Sequence, residues 1–365
     1  MYRPAKITID LAAIQANCRL AQTLAPHSKT VAVVKADAYG HGAAEVSKAL
    51  EAQVEMLTVS CLEEALVLRE NGLRKPILLL EGFFEQSELK IAIANQCELV
   101  LHSHFQLEQL LKVTLESPIN IWLKVDTGMH RLGILPQEVE SIYAKLTASK
   151  NVKNIVLMTH FAHADDVAGG FTSKQIERFE TCIQPIMTTT IQKVQLSMAN
   201  SAALLAWQQT RVDWNRPGIM LYGLSPFAEP MEQAKPLIPA MTFESQVIAL
   251  REISSGESVG YGCAWTARRP SVIATIAVGY GDGYPRSAKS GTPVLINGHR
   301  APLAGRVSMD LISVDVTDLA NVNIGDSAIL WGKDLSANEV ASCADTIGYE
   351  LVTRMPKRVA RVFVN

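Results

Sequence analysis

Val31-Ala32-Val33-Val34-Lys35-Ala36-Asp37-Ala38-Tyr39-Gly40-His41-Gly42 runs an apolar, mostly β-branched segment into one lysine and then a Gly-rich turn. Residues 31–34 read as a buried strand. The lysine then sits at the C-terminal mouth of that strand, where α/β barrels place their chemistry. Desolvation there lowers a lysine pKa, because burial disfavours the charged form. A lysine made neutral in this way can form a Schiff base with an aldehyde. Tyr39 follows four residues later, with a hydroxyl suited to a phosphate. The same pattern also fits a plain strand ending in a surface lysine, so the flanking chain has to decide.

Working outward, short apolar runs alternate with longer amphipathic ones. The spacing predicts strands at residues 31–34, 56–59, 77–80, 98–101, 119–125, 155–158 and 194–197, with a short one ending near Arg216. It predicts helices at 43–51, 62–70, 105–113, 138–148, 173–187 and 202–207. Strands alternating with helices point to a parallel sheet. Eight such units over about 190 residues fit a closed (β/α)8 TIM-type barrel. A doubly wound open sheet competes, but no G-x-G-x-x-G follows the first strand.

After about Pro236 the texture changes. Residues 247–250, 272–278, 293–296, 311–316 and 328–331 are β-rich and punctuated by Ser255-Gly256, Ser290-Gly291 and Asn297-Gly298. Asn-Gly between apolar runs signals a hairpin. The expectation is a C-terminal antiparallel β domain over residues 236–365, after a barrel over residues 11–235. The proline-rich stretch 224–239 reads as a linker.

Bulk properties exclude several classes. The 365 residues are 48% hydrophobic, enough for more than one domain, and the formal net charge is only −2. Without a charge block, nucleic acid and membrane surfaces are poor partners. The six cysteines, Cys18, Cys61, Cys97, Cys182, Cys263 and Cys343, form no C-x-x-C pair, so neither a metal site nor a redox motif is expected. Scattered thiols and an N-terminus without a secretory h-region suit the cytoplasm.

Lys35 to Gly42 belongs to a set of blocks. The others are Trp122-Leu123-Lys124-Val125-Asp126-Thr127-Gly128-Met129-His130-Arg131-Leu132-Gly133, Thr159-His160-Phe161-Ala162, Met198-Ala199-Asn200-Ser201, Arg216-Pro217-Gly218-Ile219, Val259-Gly260-Tyr261-Gly262 and Gly305-Arg306-Val307-Ser308-Met309-Asp310. In this order, over nearly the whole chain, they resemble bacterial alanine racemase, a fold type III family dependent on pyridoxal 5'-phosphate. The resemblance implies interconversion of L- and D-alanine by two bases, supplying D-alanine for peptidoglycan, in a homodimer with shared active sites. It also implies that an N-terminal strand, within residues 1–10, pairs with the C-terminal domain. A broad-specificity amino-acid racemase of the same fold would use the same core residues. A decarboxylase of the related barrel would have no need of Tyr261.

Racemisation removes a weakly acidic α-proton and returns one to the other face, so it needs an electron sink and a base on each side. The resemblance makes Lys35 the cofactor attachment and first base. Tyr261 of the partner subunit is the second. A phenol is too weakly acidic to serve as a base at neutral pH unless a cation stabilises it. Tyr39, Asn200, Ser201, Gly218 and Ile219 are the phosphate candidates, and a simple N-cap is the alternative for Ser201. Arg216 is placed against the ring nitrogen, with His160 as its neighbour; a solvated loop and a structural histidine are the alternatives. Arg131 and Met309 are assigned to the substrate carboxylate, and Lys124 to a carbamylated lysine or an ordinary charge arrangement with Asp126. Tyr280, Asp165, Arg286 and Arg306 match the family's substrate entrance. Thr353 stands where many relatives have a phosphate-binding tyrosine, and His130 where glycine is frequent.

Overall fold

The computed structural model describes residues 3–191 and 193–365. After a first strand, β1 (Lys6–Asp10), eight strands close a parallel barrel. They are β2 (Lys29–Val33), β3 (Met56–Val59), β4 (Ile77–Leu79), β5 (Cys97–Leu101), β6 (Ile119–Lys124), β7 (Val152–Met158), β8 (Gln195–Ser197) and β9 (Trp214–Asn215). Closure comes from β2 against β9, with Lys29 opposite Trp214 and Thr30 opposite Asn215.

The period of two along each strand separates two cores. Val31, Met56, Leu78, Val100, Trp122, Val156, Met158 and Trp214 fill the barrel interior. Their neighbours Ala32, Leu57, Leu79, Leu99, Leu123 and Leu157 face outward into the main core. Trp122 and Trp214 meet edge to face at 5.4 Å. Their indole N–H groups donate to Glu98 and Gln195, each at 2.7 Å, so these large rings bury without an orphaned donor. The interior is packed rather than hollow, which leaves room for chemistry only at the mouth.

Helix Glu88–Ala94 between β4 and β5 was not expected from the sequence. At seven residues it buries only Leu89 and Ala92, too few positions to show a helical period.

The second region is built on β10 (Met241–Ile253). The remaining strands are β11 (Ser258–Val259), β12 (Trp265–Thr266), β13 (Ser271–Ile276), β14 (Pro293–Ile296), β15 (His299–Pro302), β16 (Ile312–Asp315), β17 (Ser327–Trp331) and β18 (Ala360–Val364). The first half of β10 pairs with β17 and the second half with β13, both antiparallel, so one long strand serves two sheets. Asn297 and Gly298, at φ +49° and +82°, turn the β14–β15 hairpin. Strand β1 lies between β10, antiparallel, and β18, parallel, so the chain's first strand is built into the sheet of its last. Residues 224–239 are not a loose linker: Leu224, Phe227 and Leu237 are buried, and Asn17 donates to Ile238 O at 2.8 Å. No helix among the described residues is long and apolar enough to cross a membrane.

Two short helices that the β-rich texture hid, Ala337–Ser342 and Gly348–Thr353, return toward the barrel. The second lies against Gly40, whose φ is +81° and where a Cβ would stand 1.9 Å from Val352 O. Gly40→Ala combines a left-handed alanine with backbone overlap and should cost more than about 2 kcal/mol. Urea unfolding tests this; a midpoint equal to the parent's would mean that the helix does not bear on the turn.

Candidate active site

Lys35 does not simply end a strand. Val34 intervenes, and Ala36, Asp37, Ala38 and Tyr39 follow with φ between +52° and +54°. Four consecutive non-glycine residues are therefore left-handed, at a cost of about 1–2 kcal/mol each. The turn is held from several sides. Ala38 N–H donates to Val34 O and Gly40 N–H to Ala36 O. Glu64 accepts from Ala36 N–H at 2.7 Å, and Asp37 accepts from Ala43 N–H at 2.8 Å. Arg361, from β18, donates to Gly40 O at 3.0 Å and pairs with Asp37 at 3.1 Å.

The turn brings Lys35 and Tyr39 to one wall of a cavity of about 680 Å³ at the barrel mouth, a size typical of small-molecule sites. The same cavity is lined by Lys124, Arg131, His160, Asn200, Ser201, Arg216, Gly218, Ile219 and Asp165. These come from the ends of different strands and the loops beyond them, as the barrel geometry dictates.

The cavity is strongly cationic. Burial, followed by the Arg131 charge, lowers the Lys35 pKa. Burial, then Arg131, Arg216 and Lys35, bring Lys124 down to about 8. Burial and then Arg216 hold His160 well below the ordinary histidine range, so its imidazole is neutral. Arg216 is buried and brought down to about 10 by desolvation, still protonated at neutral pH. Its guanidinium donates to Thr159 O at 2.7 Å and Met198 O at 3.2 Å and also bonds Ser197 Oγ. The Asp126 charge opposes the lowering at Lys124 only as the last of its causes. The Asp126 carboxylate turns to His130, accepting from its backbone N–H at 3.0 Å and lying 3.2 Å from its ring. His130 adopts φ +55°, the left-handed conformation that explains why glycine suits this position.

Opposite these charges lies a corner of hydroxyls. Ser201 is not the N-cap of helix Ser201–Ala206; Asn200 is, accepting from Ala203 N–H at 3.0 Å. The Ser201 Oγ instead accepts from Gly218 N–H at 2.8 Å and Met220 N–H at 3.3 Å, which leaves its proton to donate. Burial pushes the Tyr39 phenol up to about 12, so it too remains a donor. Tyr39 stacks on Tyr222 at 5.0 Å, and Tyr222 donates to Val33 O at 2.7 Å from behind, outside the cavity lining. Thr353 lines the cavity, and so does Tyr349, one helical turn earlier and 6.1 Å from Tyr39. Sequence reasoning missed Tyr349. The only available signal was its i, i+4 spacing to Thr353 on an unrecognised helix. Glu81 also lines the cavity and was missed; its carboxylate accepts from Ser60 Oγ at 2.8 Å.

Other expected residues are not in this cavity. Tyr261 lies between β11 and β12 and is 68% exposed, and Met309 is 54% exposed. Tyr280, Arg286 and Arg306 likewise belong to the β region and do not line it.

Known proteins share this arrangement from end to end. Residues 9–226 match the family described as alanine racemase, N-terminal domain, and residues 240–363 match alanine racemase, C-terminal domain. The chain is 52% identical to an alanine racemase of Pseudoalteromonas atlantica, with both chains fully covered. It is 47% identical to a catabolic alanine racemase of Pseudomonas putida over 99% of each. Among solved structures, the biosynthetic alanine racemase of Pseudomonas aeruginosa superposes with a TM-score of 0.95 at 45% identity, again over the full length of both. With both halves of the chain matched and the barrel mouth built as described, the chain belongs to the alanine racemase family.

Proposed function

We propose that the chain interconverts L- and D-alanine with pyridoxal 5'-phosphate held on Lys35, and that two copies complete each other's sites. The observation that carries this reading is one cavity holding a depressed-pKa lysine, a fixed arginine and a corner of hydroxyl donors. In domain terms, residues 11–235 would form the cofactor barrel and residues 236–365 the β domain, joined by the strand within residues 1–10. Cytoplasmic location and a role in peptidoglycan supply belong to the same reading; the six free thiols suit a reducing compartment.

The residues fit the cofactor. At Gly218 a Cβ would stand 2.9 Å from the Tyr39 hydroxyl, filling the space between the hydroxyl donors, so glycine leaves room for a phosphate. Tyr39 and Ser201 have protons to donate there, beside Asn200 and Ile219. The bound cofactor supplies the sink for the electron pair left when the α-proton departs. Arg216, held on Ser197, Thr159 and Met198, can donate to a ring nitrogen but does not surrender its proton at neutral pH. Arg216 would therefore offer a hydrogen bond to that nitrogen without protonating it. The neutral His160 beside Arg216 adds no competing charge.

Lys35 Nζ would take or return the α-proton on one face and Tyr261 Oη of the partner subunit on the other. Arg131 offers a planar fork for the substrate carboxylate, assisted by the Met309 N–H of the partner. Tyr261 and Met309 are exposed on the β region, available to a second copy. Lys124, with a pKa of about 8, holds about 300-fold more neutral amine at pH 7 than an ordinary lysine. The neutral amine is the form that adds to carbon dioxide. One proton leaves to free the amine and a second leaves once the N–C bond has formed, so a cation would become an anion facing Arg131.

Borohydride treatment of the cofactor-loaded protein, followed by peptide mapping, should place the label on Lys35, and the protein should racemise alanine. A label on another lysine would refute the attachment. Mixing inactive Lys35→Ala with inactive Tyr261→Phe should restore activity, since a mixed dimer has one site free of both lesions. If tagged mixed dimers form and stay inactive, the shared site is wrong. A 13C carbamate signal from labelled bicarbonate should be present at pH 8 to 9, fade as pH falls below about 8, where the amine protonates, and vanish in Lys124→Ala. A signal that survives the substitution assigns it elsewhere.

A further inference from the structure

A second charge arrangement, away from the cavity lining, surrounds Asp282. This carboxylate is fully buried. It accepts from Arg3 Nη2 at 2.6 Å, from Gly279 N–H at 3.0 Å, and pairs with Arg358 Nε at 3.1 Å. The same two arginines also grip Asp310. Arg358 Nη2 donates to its carboxylate at 2.7 Å, and Arg3 Nη2 donates to its carbonyl at 2.9 Å. Arg3 precedes β1 and Arg358 precedes β18, so both ends of the chain converge on one acid.

What the clamp holds is a pair of backbone segments, the tight turn Tyr280–Asp282 and residues 308–310. Tyr280 N–H donates to Ser308 O at 3.0 Å, and Gly281 N–H donates to Met309 O at 2.8 Å. The segments are so close that a Cβ on Gly279 would lie 2.3 Å from Ser308 O. The side chains of Tyr280 and Met309 nonetheless stand exposed. A buried carboxylate is costly unless paired, and its paired form specifies geometry more than it adds stability. Here the geometry specified is that of the Met309 peptide.

We propose that Asp282 is a positioning residue for substrate binding: through Arg3, Arg358 and the turn it anchors it fixes the backbone of residues 308–310, so that the Met309 N–H is presented ready-oriented to the alanine carboxylate in the partner's cavity. This rests on the reading that Met309 serves the partner's site. A preorganised donor contributes to binding because little freedom is lost when the ligand arrives. The clamp acts on the carboxylate rather than on proton transfer, so its loss weakens binding and spares turnover.

The test is Asp282→Asn, and separately Arg358→Gln, in the cofactor-loaded enzyme, with kinetics in both directions. The expected result for Asp282→Asn is a KM for L- and D-alanine raised about tenfold, with kcat within about threefold. Inhibition by acetate, a bare carboxylate, should weaken by the same factor as KM rises. Arg358→Gln should change KM in the same direction by less, and the double variant should be no worse than Asp282→Asn, because both remove one clamp. A merely structural role would lower kcat, or the dimer fraction seen in sedimentation, with KM and acetate inhibition unchanged; that result overturns the proposal. If Asp282→Asn fails to fold, Arg3→Gln and Arg358→Gln at partly exposed arginines decide, and unchanged KM in both overturns it. Failure of the Lys35→Ala and Tyr261→Phe mixture to complement sinks the shared-site reading itself. Complementation together with a silent Asp282→Asn sinks this inference alone.

Discussion

The left-handed turn after Lys35 is the constraint around which the site is arranged. Its residue types do not favour it, since alanine and tyrosine resist positive φ. It persists because Glu64, Arg361 and helix Gly348–Thr353 all bear on it. These partners belong to a barrel helix, the last strand and a helix of the β region, so the turn draws its stability from the whole molecule. Backbone strain over-determined by its surroundings is a common property of reactive sites, where it fixes a functional group in one orientation. Lys35 and Tyr39 share one wall because the intervening residues coil the wrong way.

The cavity adds an electrostatic constraint. Lys35, Lys124, Arg131 and Arg216 face Glu81 and Asp165, an excess of positive charge in a partly desolvated space. Burial first, and then the neighbouring cations, make Lys35 and Lys124 lose their protons more readily than ordinary lysines. Arginine has no such outlet, so Arg216 is satisfied instead by carbonyls and a serine hydroxyl. One site therefore holds amines that release their protons more readily than usual beside a guanidinium that stays charged, two roles set by residue type and surroundings.

The barrel was legible in the sequence because its strands are short apolar runs bounded by turns, and the observed β3 occupies the very residues, 56–59, that the pattern indicates. The hairpin at Asn297-Gly298 was legible for the same local reason. Helix Glu88–Ala94 was not, being too short to display its period. Asn200 and Ser201 are both acceptable caps, and only the structure separates them. Tyr349 and the clamp on Asp282 depend on contacts across hundreds of residues, Arg3 to Asp282 spanning 279 positions. Side-chain chemistry marks such residues as available without saying where they will meet.

The grip of Arg361 on Gly40, across 321 positions, also bears on synthesis. Lys35 is synthesised well before the arginine that secures its turn. The barrel strands can assemble as they emerge, but the turn cannot be locked until the C-terminal strand lies down beside β1. A chain cut between Thr353 and Arg361 would keep every group lining the cavity and lack the arginine that helps hold the Lys35 turn. Backbone order thus becomes an order of events: the barrel can close first, and the turn that carries Lys35 is fastened only when β18 docks.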